Sequence, residues 1–341
     1  MQVVILLTEN SMGSQVVGLV DALMMVNYCH HKAGGEAPLF AWSLVSIDGQ
    51  PVRPFNGLPV AADQSLAQAL ADDRYPLDQK LWLVPSVIEA VSRPERIRQA
   101  LQQLAPMVDA VQQYYQRGGR IASACTGAFV LAAAGLLAPY PALMHWRSEA
   151  SFQQLFPGIR TDTRTALADY GRILCASGGM QSAAQLVLHL VARQHSEALA
   201  LEVAKLMQVD RQSTAPVAYG ATQTDRPHND DKVRLAQARL RERLHLSVSI
   251  EQLATELAIS DRQLKRRFAQ ATGLSPLKYL QKERLKRACQ LLENSRLTSA
   301  RIAGEVGYQD ESNFRRLFKR ELGMTMEHYR RRFSAALSAH D

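Results

Sequence analysis

Two stretches in the last third of the chain repeat one another. Leu253–Asp261 (LATELAISD) aligns with Ile302–Asp310 (IAGEVGYQD) at an offset of 49 residues. Past the turn the offset becomes 50, pairing Leu264 with Phe314, Phe268 with Phe318, Gly273 with Gly323 and Tyr279 with Tyr329. Each copy reads as a short helix, a tight turn and a second helix that a glycine stops. Core packing explains the apolar positions Leu253, Ala254, Leu257, Leu264 and Phe268 in the first copy, and Ile302, Ala303, Val306, Phe314 and Phe318 in the second.

Packing leaves the outward residues unexplained. Arg262, Lys265 and Arg266 lie off the buried stripe of the first copy, and Glu311, Ser312, Arg315 and Arg316 off that of the second. Ser260, Gln263 and Asn313 stand at the same helix starts. A second helix of this kind can enter the major groove, where Arg or Lys donates to guanine and short polar side chains reach base edges. One charged face is ordinarily just solvated, but here there are two in a basic segment. Residues 231–341 hold 23 Lys+Arg against 13 Asp+Glu, net +10, while residues 1–230 hold 17 against 19. Between the copies, Leu277, Leu280, Leu285, Ala288 and Leu291 recur at helical spacing over Pro276–Asn294. Nineteen residues make a rod of about 28 Å, close to the roughly 34 Å of one DNA turn. One helix could thus hold both readers on the same face of a duplex.

Residues from about 231 to 333, with both turns and the Gly-x-Ser-Pro run Gly273–Pro276, resemble the DNA-binding domain of the AraC/XylS family of bacterial transcription regulators. Met326 stands where the family usually has proline. The resemblance implies double-stranded operator DNA as partner, a homodimer as working form and RNA polymerase as a further candidate partner.

The first two thirds follow another rhythm. Short apolar runs at Val3–Leu7, Phe40–Ile47, Leu81–Val84, Arg120–Ala124 and Arg172–Ala176 read as strands. Val16–His31, Pro94–Arg117, Thr126–Ala134, Trp146–Phe156 and Gly179–His195 read as helices, with Leu23-Met24-Met25 on the core stripe of the first. Such alternation predicts a mainly parallel sheet covered on both faces. The expected fold class is α/β, a parallel-sheet flavodoxin-like sandwich followed by an all-α domain with two helix-turn-helix motifs. The expected domains are 1–207 and 231–335, joined by a linker over 208–230 that has two prolines and no period.

No apolar run reaches bilayer length and the start, MQVVILLTE, lacks a basic segment, so a cytoplasmic protein without membrane contact is expected. The four cysteines form no Cys-x-x-Cys pair, which suits a reducing compartment. Cys29-His30-His31 looks metal-like, but consecutive helix residues point about 100° apart. Phosphate-loop, Gly-x-Gly-x-x-Gly and His-Glu-x-x-His motifs are missing; no metal and no cofactor is expected.

One stretch carries chemistry: Ser123–Leu137 (SACTGAFVLAAAGLL) sets Cys125 between a strand and a small-residue helix, the context of a nucleophile elbow. Cys125 can be a buried core residue, a pocket-lining residue or a nucleophile with His145 as base. Residues 1 to about 195 resemble the PfpI-like, class I glutamine amidotransferase-like domain that precedes the AraC-type module in GlxA-type regulators. In catalytic relatives a glutamate near the first helix hydrogen-bonds the cysteine; the matching place here is Gln15, and an amide cannot exchange that proton. No carboxylate after His145 completes a triad, the nearest being Glu149. The expected role is therefore a sensor that is not an enzyme. Ser86, Cys125, Thr126, His145, Trp146 and Gln15 would line a pocket for a small-molecule effector, by analogy a nitrogenous metabolite. The alternative is a PfpI-like cysteine hydrolase or deglycase acting through Cys125, with the helical domain as accessory.

Overall fold

The computed structural model describes residues 1–87, 93–178, 182–209 and 228–334. The chain divides into two compact units, Met1–Pro216 and Val217–Asp341. Most of the expected linker, the helix start expected at residue 179 and the domain end expected at 335 lie outside the described residues.

In the first unit, β1 (Gln2–Leu6), β2 (Ala41–Ser46), β3 (Gln64–Ser65), β4 (Lys80–Val84), β5 (Arg120–Ala124), β8 (Leu167–Asp169) and β9 (Ile173–Ala176) form one sheet. Its order is β3-β2-β1-β4-β5-β9-β8. Every pairing is parallel except β8 with β9. The short strands β6 (Ala142–Leu143) and β7 (Thr161–Asp162) pair separately. β1 and β4 are buried along their whole length, as strands sandwiched between two helical layers must be. Val4, Leu6, Trp82 and Val84 point into one core, with residues of α3 (Pro94–Gln103), α4 (Ala105–Gln116), α5 (Gly127–Ala133) and α6 (Glu149–Leu155). Val3, Ile5, Leu81 and Leu83 point into the other, against α1 (Gly13–Lys32), α7 (Ser182–Gln194) and α8 (Glu197–Leu206).

The five expected strands and their parallel arrangement are present. The helix expected over Pro94–Arg117 is instead two helices that meet at Leu104. Pro106 is the cause: it has no N–H to give the Gln102 carbonyl, and its ring would collide there. Met24 is also corrected, since it is half exposed while Leu23 is buried. Gly118, at φ +100°, ends α4 as expected. Short elements escaped the sequence reading: β3, the six-residue α2 (Leu66–Ala71) with its Ser65–Gln68 capping box, and β8.

The second unit is all helix: α9 (Asp231–Glu242), α10 (Ile250–Glu256), α11 (Asp261–Thr272), α12 (Pro276–Asn294), α13 (Ser299–Glu305), α14 (Glu311–Leu322) and α15 (Met326–Phe333). It has two small cores, and α12 belongs to both. Tyr279 and Leu280 pack with Leu253, Leu264 and Phe268; Leu285, Ala288, Cys289 and Leu292 pack with Ile302, Phe314 and Phe318. Gly273 and Gly323 adopt left-handed φ of 74° and 72° as helix caps, the conformation glycine takes without steric cost. Met326 costs the repeat little, because Thr325 accepts from the His328 N–H and starts α15 as Ser275 starts α12. Among the described residues no helix is long and apolar enough to cross a membrane.

The two halves of this unit are also tied directly. Arg284, midway along α12, donates to the carbonyls of Leu244 (2.7 Å) and Leu246 (2.6 Å) after α9. Its guanidinium lies 5.1 Å from the Tyr308 ring in the second turn. Lys278 reaches the buried Glu321 at 2.8 Å. At the amino-terminal end, Asp230 caps α9 and receives the Arg267 fork at 2.9 and 2.8 Å. That hydrogen-bonded fork holds the Asp230 carboxyl below its usual range. A carboxyl depressed in the folded state stabilises above its unfolded value of about 3.9, and this contribution disappears as pH falls through the folded value. Melting of this unit should therefore lose the contribution below about pH 4, and Arg267→Ala should flatten that acid limb. Calorimetry across pH 3–7 reads it.

Candidate functional site

The first candidate site lies at the carboxyl ends of β4, β5 and β9. β5 ends at Ala124 and α5 begins at Gly127, leaving two residues for the reversal. Cys125 makes it at φ +54°, a left-handed backbone that non-glycine residues seldom adopt. Its N–H donates to the Ala176 carbonyl at 2.9 Å. This is the strained elbow that the sequence suggested. Gly127 lets the loop after β4 close over it: a Cβ there would stand 2.4 Å from the Val84 carbonyl oxygen. Gly178, at φ +130°, faces the thiol, and a Cβ there would stand 2.9 Å from Sγ. Cys125 is 6% exposed.

Around the elbow the structure joins three of the expected residues by hydrogen bonds. Gln15 accepts from the Ser86 N–H at 2.6 Å and donates to Ser182 Oγ at 3.0 Å. Ser86 Oγ and Thr126 Oγ1 lie 2.7 Å apart. Gln15 is 1% exposed and Thr126 fully buried, so the network is closed off from bulk solvent. The amide needs both its faces here: its oxygen meets a backbone donor and its nitrogen a hydroxyl. Ser182 and Gly178 were not singled out from sequence, although the Ser177-Gly178 run past β9 signals a loop.

His145 and Trp146 sit on the turn after β6. His145 Nδ1 accepts from the Arg147 N–H at 3.3 Å, which puts the neutral ring's proton on Nε2. Burial, and then the Arg147 charge, lower its pKa. The imidazole is neutral at pH 7. Its ring lies 4.9 Å from that of Trp146, whose buried Nε1 has no hydrogen-bond partner among the described residues.

The second candidate site is the pair of helices α11 and α14. Ser260, Arg262, Gln263, Lys265, Arg266, Ser312, Asn313, Arg315 and Arg316 are all exposed, and Glu311 is half-buried. Leu264, Phe268, Phe314 and Phe318 are buried, so the division between packing and outward residues holds in both copies. Several outward residues also have structural work. Ser260 and Gln263 cap each other's backbone N–H, Lys265 pairs with Asp261 at 2.6 Å, and Arg315 with Glu311 at 2.7 Å. Arg316 donates to Asn313 Oδ1. Among the described residues no hydrogen bond or ion pair engages Arg262 or Arg266. Arg267, next in the run, turns inward to Asp230.

Known proteins resemble the chain in both halves. Residues 253–332 match a model described as a helix-turn-helix domain. The HTH-type transcriptional regulator GbdR of Pseudomonas aeruginosa is 27% identical over 315 residues, 91% of this chain and 79% of that one. The HTH-type transcriptional regulator CdhR of the same species is 26% identical over 318 residues, 90% of this chain and 85% of that one. Among solved structures, an AraC family transcriptional regulator from Pseudomonas putida is 22% identical, covers 60% of this chain and 98% of its own, and has a TM-score of 0.45. The tandem reading helices and the span of both regulator matches lead to one conclusion. The chain is a DNA-binding transcription regulator: it carries a helix-turn-helix domain over residues 253–332 and is similar along nine tenths of its length to the HTH-type transcriptional regulators GbdR and CdhR.

Proposed function

We propose that the amino-terminal domain, 1–207, is the receptor of this regulator and that 231–335 reads operator DNA, the two joined by the linker 208–230. A small effector, a nitrogenous metabolite by analogy, binds at the elbow against Gln15, Ser86, Cys125 and Thr126. His145 supplies a polar handle there and Trp146 an aromatic wall. Binding biases how the two subunits of a homodimer present their reading helices. Ser260, Arg262, Gln263, Lys265 and Arg266 meet one major groove; Glu311, Ser312, Asn313, Arg315 and Arg316 meet the next. The protein works in the cytoplasm, and RNA polymerase is its further partner.

The observation that carries the receptor reading is the fixed amide of Gln15. Thiol catalysis at this elbow needs a neighbour that exchanges a proton, and Gln15 spends its oxygen and nitrogen on Ser86 and Ser182 instead. The second reading, a cysteine hydrolase, is favoured by the strained φ of Cys125. Thiol labelling separates the two. Burial raises the Cys29 thiol and pushes Cys175 up to about 11 and Cys289 up to about 12, so alkylation below pH 9 reports chiefly on Cys125. Alkylation rising with a midpoint at or above about 8.5, and no acyl-enzyme burst with an activated ester, are expected. A midpoint below about 7 with a burst establishes the hydrolase. A thermal-shift screen of nitrogenous metabolites should yield a ligand that stabilises the protein by about 2.7 kcal/mol at a hundred times its Kd. If none does so, the first domain is not a receptor for that class.

A further inference from the structure

At the amino-terminal ends of the strands, on the far side of β4 from Ser86, lies a second hollow of about 370 Å³. Its lining includes Asp72, Tyr75, Leu77, Lys80, Tyr114 and Arg117. Lys80 opens β4 and is 2% exposed, so its charge sits inside the protein. Nζ donates to the Asp72 carbonyl. An ammonium has three donors, and among the described residues no other hydrogen bond takes one up.

The side-chain carboxylate of Asp72 is already engaged. Asp72 receives Arg74 Nε and Nη2 at 2.9 and 2.8 Å. That fork holds its carboxyl well below the usual range, with the Lys80 charge assisting. Arg117 adds a further cation, exposed and donating to the Leu70 carbonyl, and Asp73 a second, exposed carboxylate. The lining thus holds two cations, Lys80 and Arg117, and two carboxylates, of which Asp72 is already neutralised by Arg74 from outside the hollow.

A separate observation comes from the same layer of the sheet. Gln2 is the register partner of Lys80 on β1 and is 3% exposed. Its Oε1 has no hydrogen-bond partner among the described residues, and neither has Nε1 of the fully buried Trp82, two residues along β4. Buried polar atoms are almost always paired, because leaving one unpaired costs about 1–3 kcal/mol. Tyr114 stacks on Trp82 with centroids 4.4 Å apart and donates to the Lys80 carbonyl at 3.0 Å. A buried cation with spare donors lines a hollow whose walls are Tyr75, Tyr114 and Leu77, in a layer of the sheet where Gln2 and Trp82 behind it keep unpaired polar atoms.

We propose that this hollow is a second ligand site, taking a small organic carboxylate whose anionic head accepts from the Lys80 ammonium while its apolar body lies against Tyr75 and Leu77. The site is independent of the elbow and of the effector reading. The probe is 4-bromobenzoate, titrated calorimetrically into the full-length protein. Saturable binding is expected, weakened about tenfold or more by Lys80→Met and severalfold by the exposed Arg117→Ala. Inorganic phosphate, which lacks the apolar body, and 4-bromobenzylamine, which lacks the anion, bind at least tenfold more weakly. Anomalous scattering from the bromine in wild-type crystals locates the ring without any variant having to fold, and is expected beside Tyr75 and Leu77. No binding, binding unaffected by both substitutions, phosphate as good a ligand, or bromine only elsewhere overturns the proposal. Bromine at the elbow does so while leaving the receptor reading intact.

Discussion

Gly307→Ala is expected to destabilise the DNA-reading unit by about 2–5 kcal/mol, enough to melt its second half before the rest. Gly307 sits in the second helix-turn-helix turn at φ +85°, so any side chain strains the backbone first. A Cβ there would also stand 2.7 Å from the Leu244 carbonyl oxygen, 2.8 Å from Arg284 Nη2 and 2.9 Å from the His245 carbonyl carbon. Two of these are backbone atoms of the segment just after α9, which cannot swing aside as a side chain can. The methyl group must push the second turn off the first half and break the bonds by which Arg284 holds Leu244 and Leu246. Gly304, one turn earlier, has nothing within 4 Å of its Cβ position. Gly304→Ala is expected to be neutral or to stabilise by up to about 1 kcal/mol. Calorimetry of the two full-length variants makes the comparison; equal melting would show that the halves are not locked at this turn.

The second large effect is on DNA. Arg266→Ala and Arg316→Ala should each relax preference at one base position by about 1–3 kcal/mol. The two arginines stand on separate helices and share no partner, so their effects should add and the double variant should lose about 2–6 kcal/mol on its target. Arg266 is unengaged within the described residues and exposed; Arg316 is steadied by Asn313, which fixes where its guanidinium points. Lys265→Ala should act differently. Its ammonium already pairs with Asp261, so it is suited to a phosphate contact and should weaken all sequences alike while reducing the salt slope by about one. Selection from random duplexes at several salt concentrations distinguishes these outcomes. If both arginine variants keep the wild-type preferred sequence, the reading residues are wrongly assigned.

Much of the fold was legible because its period was strong. Buried strands such as Val3–Leu7 and Arg120–Ala124 are continuous apolar runs, and Gly273 and Gly323 are punctuation that only a helix end explains. The break at Leu104 was missed because apolar spacing continues through it, and the one-residue signal, Pro106, sits near a helix start where proline is tolerated. Met24 was misplaced because an apolar side chain in an apolar triplet does not declare which face it occupies. At the elbow, the strand–Cys–helix pattern announced the strained turn, but the role of Gln15 depends on Ser86 and Ser182, which are 71 and 167 residues away in the chain. Long-range hydrogen bonds leave no local trace. In the basic run Lys265-Arg266-Arg267 the third residue is indistinguishable by type from the two before it, yet Arg267 pairs inward with Asp230.

The central claim is that two basic helices, fixed to the rod α12, read successive major grooves on one side of a duplex. A selected operator, compared with the same operator carrying about five extra base pairs between its two half-elements, tests this directly, because that insertion turns one element to the opposite side. Affinity is expected to fall by about a thousandfold or more, to the level of non-specific DNA at the same salt. Unchanged affinity across the insertion would contradict the account, since two readers on one rigid rod cannot follow a half-turn.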